Sequence, residues 1–570
     1  MLERNPVLFG ALVLGMIVAG CSESSSDPNS SDGGSGAGAT TGNGASDASG
    51  GSGGSTSGGT GATGTGGSSN GGTSSGGNSN GGASGGTEPS ACTEVGGAEI
   101  ELLTTTNIAE MGTPFDADVE DLVDPFDWNT NYGKAPELVA LADGENIDVL
   151  WQDAEQKKAF VVRAEKGETG YAVTRAYALP IVDKIMGFSR DEAGNYYYAT
   201  GIDEDGEIDE TTPAAGLHRS GIVRLIKFGP EGGCALLNVD VDLAREEKAS
   251  DSEPIVNPMV AASSRLAYAD GALALVHGIN TKPDMQGTRH QKALTTHLDA
   301  TTGAVTRTDS MWVSHSFDQR LFHDGTGFVE LHLGDAYPRS IALGRFQAEA
   351  GTSTYQLFLP KGPTGENSTF TRLGGVVPIA SGDFGYLVVF TTDRTLEMPT
   401  GDWQTLVGTR DLAFLRVTRD FAEIEPDDRS FIDGSEIMTV TRTERIDDMD
   451  VEVEYDNHFD WLTDYTGDSA QADRPRVAAI GGDQFVVLWE RWNGADGDSS
   501  EFAGTQGLVI GADGVVTAAA KAVSERHLSR GDDVITVGNR ALFVTGDAAS
   551  KKLVLNFVSG DLSVEAVELP

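Results

Sequence analysis

Between Ser314 and Arg339 the chain reads SHSFDQRLFHDGTGFVELHLGDAYPR, which sets His315, His323 and His332 among Asp318, Asp324, Glu330 and Asp335. Histidine is the commonest general base and metal ligand, because its charge changes near neutral pH. His315, Asp318, Arg320, His323, His332, Asp335 and Arg339 are therefore the candidate binding or catalytic residues. The crowding extends further: His277, His290, His297, His315, His323 and His332 are six of the chain's nine histidines. No two of them have the spacing of a metal pair on one helix or one strand. The same residues equally suit hydrogen-bonded structural positions, and Asp318, Arg320, Asp335 and Arg339 equally suit charge pairs between neighbouring elements.

Other chemistry is poorly represented. The chain has no Gly-x-Ser-x-Gly elbow, no His-Glu-x-x-His and no phosphate-binding glycine loop. GIDEDGEIDE (201–210) alternates Asp203, Asp205 and Glu207, oxygen ligands of the kind calcium prefers. These are the candidate metal residues, although Ile208 and Ala214 stand where a calcium loop needs glycine and glutamate. DDMDVEVEYD (447–456) alternates acids with Met449, Val451, Val453 and Tyr455. It predicts a strand with one acidic face, either an outer strand protected against edge pairing or a docking face for a basic partner or divalent cations. Trp461, Tyr465 and Trp492 could stack on sugars or sit in a core.

The elements that must position these residues are strands. A turn followed by a short apolar run recurs at ADGENIDVLW (142–151), EAGNYYYAT (192–200), ADGALALV (269–276), HDGTGFVEL (323–331), SGDFGYLVVF (381–390), GGDQFVVLW (481–489) and GNRALFVTG (538–546). Most of these turns lie roughly 50–57 residues apart, about the length of one propeller blade. The wider gap between Gly382 and Gly482 has room for a further unit. The runs are short and rich in Val, Leu, Phe, Tyr and Trp, which is strand composition. Residues 91–570 also exceed the roughly 250–300 residues that one layered core supports. The expected fold is all-β, a β-propeller of about seven or eight blades, with paired β-sandwiches as the alternative. In the strand after HDGTG, period two puts Phe328, Glu330 and His332 on one face and Val329, Leu331 and Leu333 on the other.

The N-terminus has a different character. Pro6 to Ile17 is an apolar run too short to span a bilayer as a helix, and it leads into Ile17-Val18-Ala19-Gly20-Cys21. This resembles the lipobox of bacterial lipoproteins, in which Ala-Gly precedes the cysteine that receives lipid. The likeness covers about the first 25 residues, with Glu3 offsetting Arg4 as a departure. It implies a signal peptide at 1–20, lipidation of Cys21 and anchoring in a membrane. Ser22 after the cysteine points by that family's habit to the outer membrane or cell surface. Residues 22–90 contain no aromatic residue and no Leu, Ile, Val or Met. Such a segment cannot repay chain entropy, so 21–90 is expected to be a lipidated, disordered Gly/Ser-rich tether with a mean reach of roughly 40–50 Å. Residues 91–570 are the head.

Cys92 and Cys234 remain as a disulfide candidate, since bridges persist outside the cytosol. The formal net charge of −46 argues against nucleic acid. The expected role is a membrane-anchored surface protein whose propeller binds a glycan or protein. A secreted polysaccharide hydrolase or lyase, with its site around 315–339, and a purely structural envelope protein are the alternatives. No cofactor beyond possible calcium is implied.

Overall fold

The computed structural model describes Cys92 and residues 98–570 apart from gaps, the longest being 121–135, 202–221, 244–263, 361–370 and 395–408. Its strands form a β-propeller of seven blades. The inner strands are Leu138–Asp143, Ile185–Arg190, Arg265–Ala269, Ser314–His323, Arg372–Pro378, Ala470–Gly481 and Ile535–Val537. They define blades 1 to 7 in chain order. Each inner strand touches the next, and the last touches the first, so the ring is closed around an axial channel. The seven turn-and-run segments picked out in the sequence are the first hairpins of the seven blades, one each.

The wide gap between Gly382 and Gly482 does not hold an eighth blade. It holds a long antiparallel hairpin, Glu436–Ile446 with Met449–Trp461, joined to blade 5 through Ala413↔Trp461 and Phe414↔Asp460. Glu452, Glu454 and Asp456 are exposed on this hairpin, opposite Thr443, Thr441 and Thr439.

Blades are buried on both faces, so their strands read as near-continuous apolar runs. Tyr196 and Tyr198 pack toward blade 1, while Tyr197 between them packs toward blade 3. An apolar cluster fills the contact between each pair of neighbouring blades. Each fully buried Leu, Val or Phe side chain contributes about 1.5–3 kcal/mol. Blade 7 is built wholly from C-terminal strands and blade 1 from N-terminal ones, so no blade is shared across the closure. The seam is held by Ile147, Val149 and Trp151 against Leu553, Leu555 and Phe557, and by Ile108 N–H donating to the Pro570 carbonyl at 2.7 Å. Glu99–Leu102 adds to the outer strand of blade 1 and pairs with Gly233–Cys234 of blade 2. A disulfide between Cys92 and Cys234, with Cα atoms 5.3 Å apart, fastens this N-terminal segment.

Antiparallel order sorts the connections. The tight turns within hairpins, such as 144–145, 270–271 and 538–539, lie at the end where inner strands finish. The blade-to-blade connections and those between second and third strands lie at the other end. Four long separations in sequence between consecutive strands, Gly201 to Ile222, Asp242 to Arg265, Phe358 to Arg372 and Asp393 to Arg410, join strand ends on this side. Loops carried by a rigid scaffold are where binding residues usually sit.

Candidate functional site: an arginine crown in the channel

Four successive inner strands carry arginine followed by an aliphatic residue: Arg265-Leu266, Arg320-Leu321, Arg372-Leu373 and Arg476-Val477. The first and third pairs open their strands, and the others lie further along theirs, beside local irregularities. All four arginines are buried, at 4–9 % exposure. Each donates Nη1 to the carbonyl of its preceding residue: Ser264 at 2.9 Å, Gln319 at 2.7 Å, Thr371 at 3.4 Å and Pro475 at 2.8 Å. The repeated bond holds each guanidinium in one orientation relative to its strand.

Local irregularities help to aim them. The pairing register shifts at Ser316/Asp318, Leu373/Gly375 and Asp473/Arg476, beside three of the four arginines. Such bulges bend a strand and redirect side chains. Gly374 is needed at this level, since a Cβ there would lie 2.4 Å from the Val389 carbonyl oxygen. Its own carbonyl accepts from Arg320 Nε at 3.3 Å.

Blade 7 supplies the counter-charge. Asp533, just before its inner strand, reaches Arg265 of blade 3 and Arg320 of blade 4. Arg265 donates Nε at 2.6 Å and Nη2 at 3.2 Å, and Arg320 Nε lies 3.1 Å away. Arg265 Nη2 also meets the Gly531 carbonyl at 2.7 Å. Arg476 donates Nε to the Asp532 carbonyl at 2.9 Å and Nη2 to those of Ser529 and Arg530 at 2.8 and 3.0 Å. The segment 529–533 is thereby drawn across the channel. The Asp533 side chain remains about a third exposed, 36 %, so this bridge is open on one side. A cavity lined in part by Leu138, Arg476, Ser529, Asp532 and Asp533 adjoins it.

Electrostatics follow from burial and crowding. Desolvation, with Arg410 beside it, lowers Arg372 to about 9. Desolvation and the nearby Arg320 lower Arg476 to about 10. Both remain cations at neutral pH, but strained ones that an anion would relieve. Burial pushes Asp533 up, yet Arg265 and Arg320 outweigh it and hold the carboxyl well below the usual range. Burial raises the neighbouring Asp532 to about 7. Arg320 Nη2 is buried with no hydrogen-bond partner among the described residues. The guanidinium groups are donors held in fixed orientations, a chemistry that suits an oxyanion.

The sequence candidates are distributed differently. Asp318 and Arg320 belong to the crown, joined at 2.7 Å through Arg320 Nη1. His332 does not. It pairs with Gln319 across the ladder, whereas Arg320 pairs with Leu331, and so they occupy opposite faces of blade 4. His332 and Glu330 face blade 3 and are completely buried, with Glu330 bridging His332 and the Thr295 hydroxyl. Val329, Leu331 and Leu333 pack toward blade 5, as period two requires. His323 lies at the opposite end of its strand, where Nδ1 accepts from Gly325 N–H at 3.2 Å and the ring meets Phe328 edge-on. His315 and Asp335 lie in strands whose side chains fall outside the described set, and Arg339 is outside the described residues.

Asp203, Asp205 and Glu207 also lie outside them. Among the described residues, no group of three His, Cys, Asp or Glu could hold a metal. Of the aromatic candidates, Tyr465 and Trp492 are core residues. The Tyr465 hydroxyl accepts from Trp489 at 2.9 Å, and Trp492 donates to Glu490 at 3.0 Å. Trp461 packs edge-on against Phe459. Sequence reasoning missed Arg265, Arg372, Arg476 and Asp533. The available signal was the repeated Arg-aliphatic pair ahead of four consecutive first turns, with Asp533-Val534 placed similarly in blade 7.

No family model matches the chain, and no curated protein matches it in sequence. Solved structures similar to it include the β-propeller domain of the Trilobed protease from Pyrococcus furiosus, 8 % identical, covering 77 % of this chain and 93 % of that one with a TM-score of 0.31. A protein from Lactobacillus plantarum is 10 % identical over 75 % of this chain and 100 % of its own, with a TM-score of 0.33. A neuraminidase-like protein from A/bat/Guatemala is 10 % identical over 67 % and 89 %, with a TM-score of 0.30. These likenesses carry no residue-level correspondence to the crown.

Proposed function

We propose that this protein is a lipid-anchored cell-surface binding protein, held through Cys21 and presenting its propeller on the 22–90 tether. The end of the channel where the inner strands begin is its ligand face. The observation that carries the binding role is the crown itself: four consecutive blades bury guanidinium groups, one of them with an unpartnered Nη2, and two of these grip an Asp533 that is 36 % exposed. Burying cations costs stability unless they are paired, so a crown of four cations with a spare donor suits a ligand better than scaffolding. The sequence Ile17-Val18-Ala19-Gly20-Cys21 supports the anchor.

Two measurements test this reading. Detergent phase partition of the expressed protein should place it in the detergent phase, and Cys21→Ser should move it to the aqueous phase. Equal partition of both would remove the anchor. A glycan panel should show retention without conversion. Conversion of any member that His323→Ala abolishes without unfolding would overturn the binding role in favour of an enzyme. Absence of any retention would favour a structural protein.

A further inference from the structure

We propose that the crown is a receptor for the carboxylate of a small acidic ligand, such as a uronic acid, and that Asp533 occupies the carboxylate's place while the site is empty. This rests on reading the end where the inner strands begin as the ligand face, and adds the chemical class.

The geometry already contains a worked example of the complex. The Asp533 carboxylate is gripped side-on by Nε and Nη2 of Arg265 and touched by Nε of Arg320. Paired N–H groups of one guanidinium match the two oxygens of a planar carboxylate. The grip spans three blades, because Asp533 comes from blade 7 while the arginines come from blades 3 and 4. Asp533 is also the partly exposed member of the group, at 36 % against 10 % and 6 % for the two arginine side chains. The donors are fixed and the acceptor lies toward the opening, which is the arrangement a replaceable group requires.

The charge balance agrees. Arg265, Arg320 and Arg476 act on Asp533, with Asp318 paired to Arg320 and Asp473 to Arg410 at 2.9 Å. Asp473 lies 4.0 Å from Arg372 Nε, at the limit of an ion pair. Arg320 Nη2 keeps a buried donor in reserve. An incoming carboxylate would take the Arg265 and Arg320 donors, gain that Nη2, and release Asp533 toward solvent. The recognition is confined to the acid group, and the adjoining wall of Leu138 and Ala140 would meet the rest of the ligand.

The test is calorimetric titration of the full chain in detergent at low ionic strength, with D-glucuronate, D-glucose and inorganic phosphate as probes. D-glucuronate should bind and D-glucose should not. Asp533→Asn keeps the side-chain shape but removes the competing charge, and should tighten D-glucuronate binding about tenfold. Arg320→Met should weaken it about tenfold or more. If Arg320→Met does not fold, Asp533→Asn decides alone. The proposal is overturned if Asp533→Asn leaves binding unchanged or weaker, or if D-glucuronate gives no heat with that variant. Phosphate binding as tight as D-glucuronate overturns the carboxylate assignment. Retention of an uncharged glycan that neither crown variant alters would overturn the crown and leave the binding-module reading standing.

Discussion

Two of the regions in which this propeller buries ionisable groups differ in the charge they bury. Between blades 3 and 4 the apolar cluster is the smallest of the seven among the described residues, formed by Ala274, Phe328, Ala342 and Phe346. The remaining space is polar: Glu330 bridges Thr295 and His332, His277 meets the Thr296 hydroxyl at 3.2 Å, and His297 packs against Phe328 and Phe346. Desolvation lowers His277 to about 4, which keeps it neutral. These groups contact one another within the interface between two blades. In the crown, by contrast, cations crowd until burial lowers two of them, and the bridging Asp533 is 36 % exposed. Three of the six crowded histidines, His277, His297 and His332, belong to the first region. The first region buries a carboxylate among imidazoles, whereas the second gathers guanidinium groups around a carboxylate that is 36 % exposed.

The largest expected effect lies in the histidine layer between blades 3 and 4. Glu330→Ala removes the shared partner of His332 and Thr295, and should cost about 3–5 kcal/mol in denaturant unfolding. A cost below about 1 kcal/mol would mean that Glu330 does not hold the layer together. Arg476→Ala deprives the carbonyls of Ser529, Arg530 and Asp532 of donors and should cost about 1–3 kcal/mol, with proteolysis at 526–534 increasing as the segment loosens.

A smaller effect concerns pH. Asp532 has its pKa raised in the folded state to about 7, so the folded form holds a proton that the unfolded form releases near pH 4. Its contribution is fully present below about pH 4 and is lost as pH rises through about 7. Asp532→Asn is neutral throughout. Its melting temperature should exceed the wild type's by a few degrees at pH 8, and the gap should shrink toward pH 4. A constant gap would contradict the raised pKa. The smallest effect is His323→Ala, which loses one exposed turn bond and should change stability by less than about 0.5 kcal/mol.

Much of the fold was legible because blade hairpins are local. A turn and the strand beyond it lie within ten residues, and period two alone separates Glu330 and His332 from Val329 and Leu331. The blade count was harder, since the insertion at 436–461 has strand composition and nothing in its residues marks it as a hairpin attached to blade 5. The site was less legible still. His323 and Arg320 are near neighbours in sequence, yet lie at different levels of one strand. Arg265, Arg320 and Asp533 are far apart in sequence but meet around the axis. Ring closure brings them together, and no local pattern encodes it beyond the recurring Arg-aliphatic pair.

The central claim is that the crown, and not the histidine layer, is where this protein meets an anion. A crystal structure of the protein soaked in sodium bromide, recorded at the bromine absorption edge, tests it most directly. The account predicts an anomalous peak within hydrogen-bonding distance of Arg320 and Arg265, stronger in Asp533→Asn. Peaks confined to surface lysines and loop amides, with the channel empty in both proteins, would contradict it.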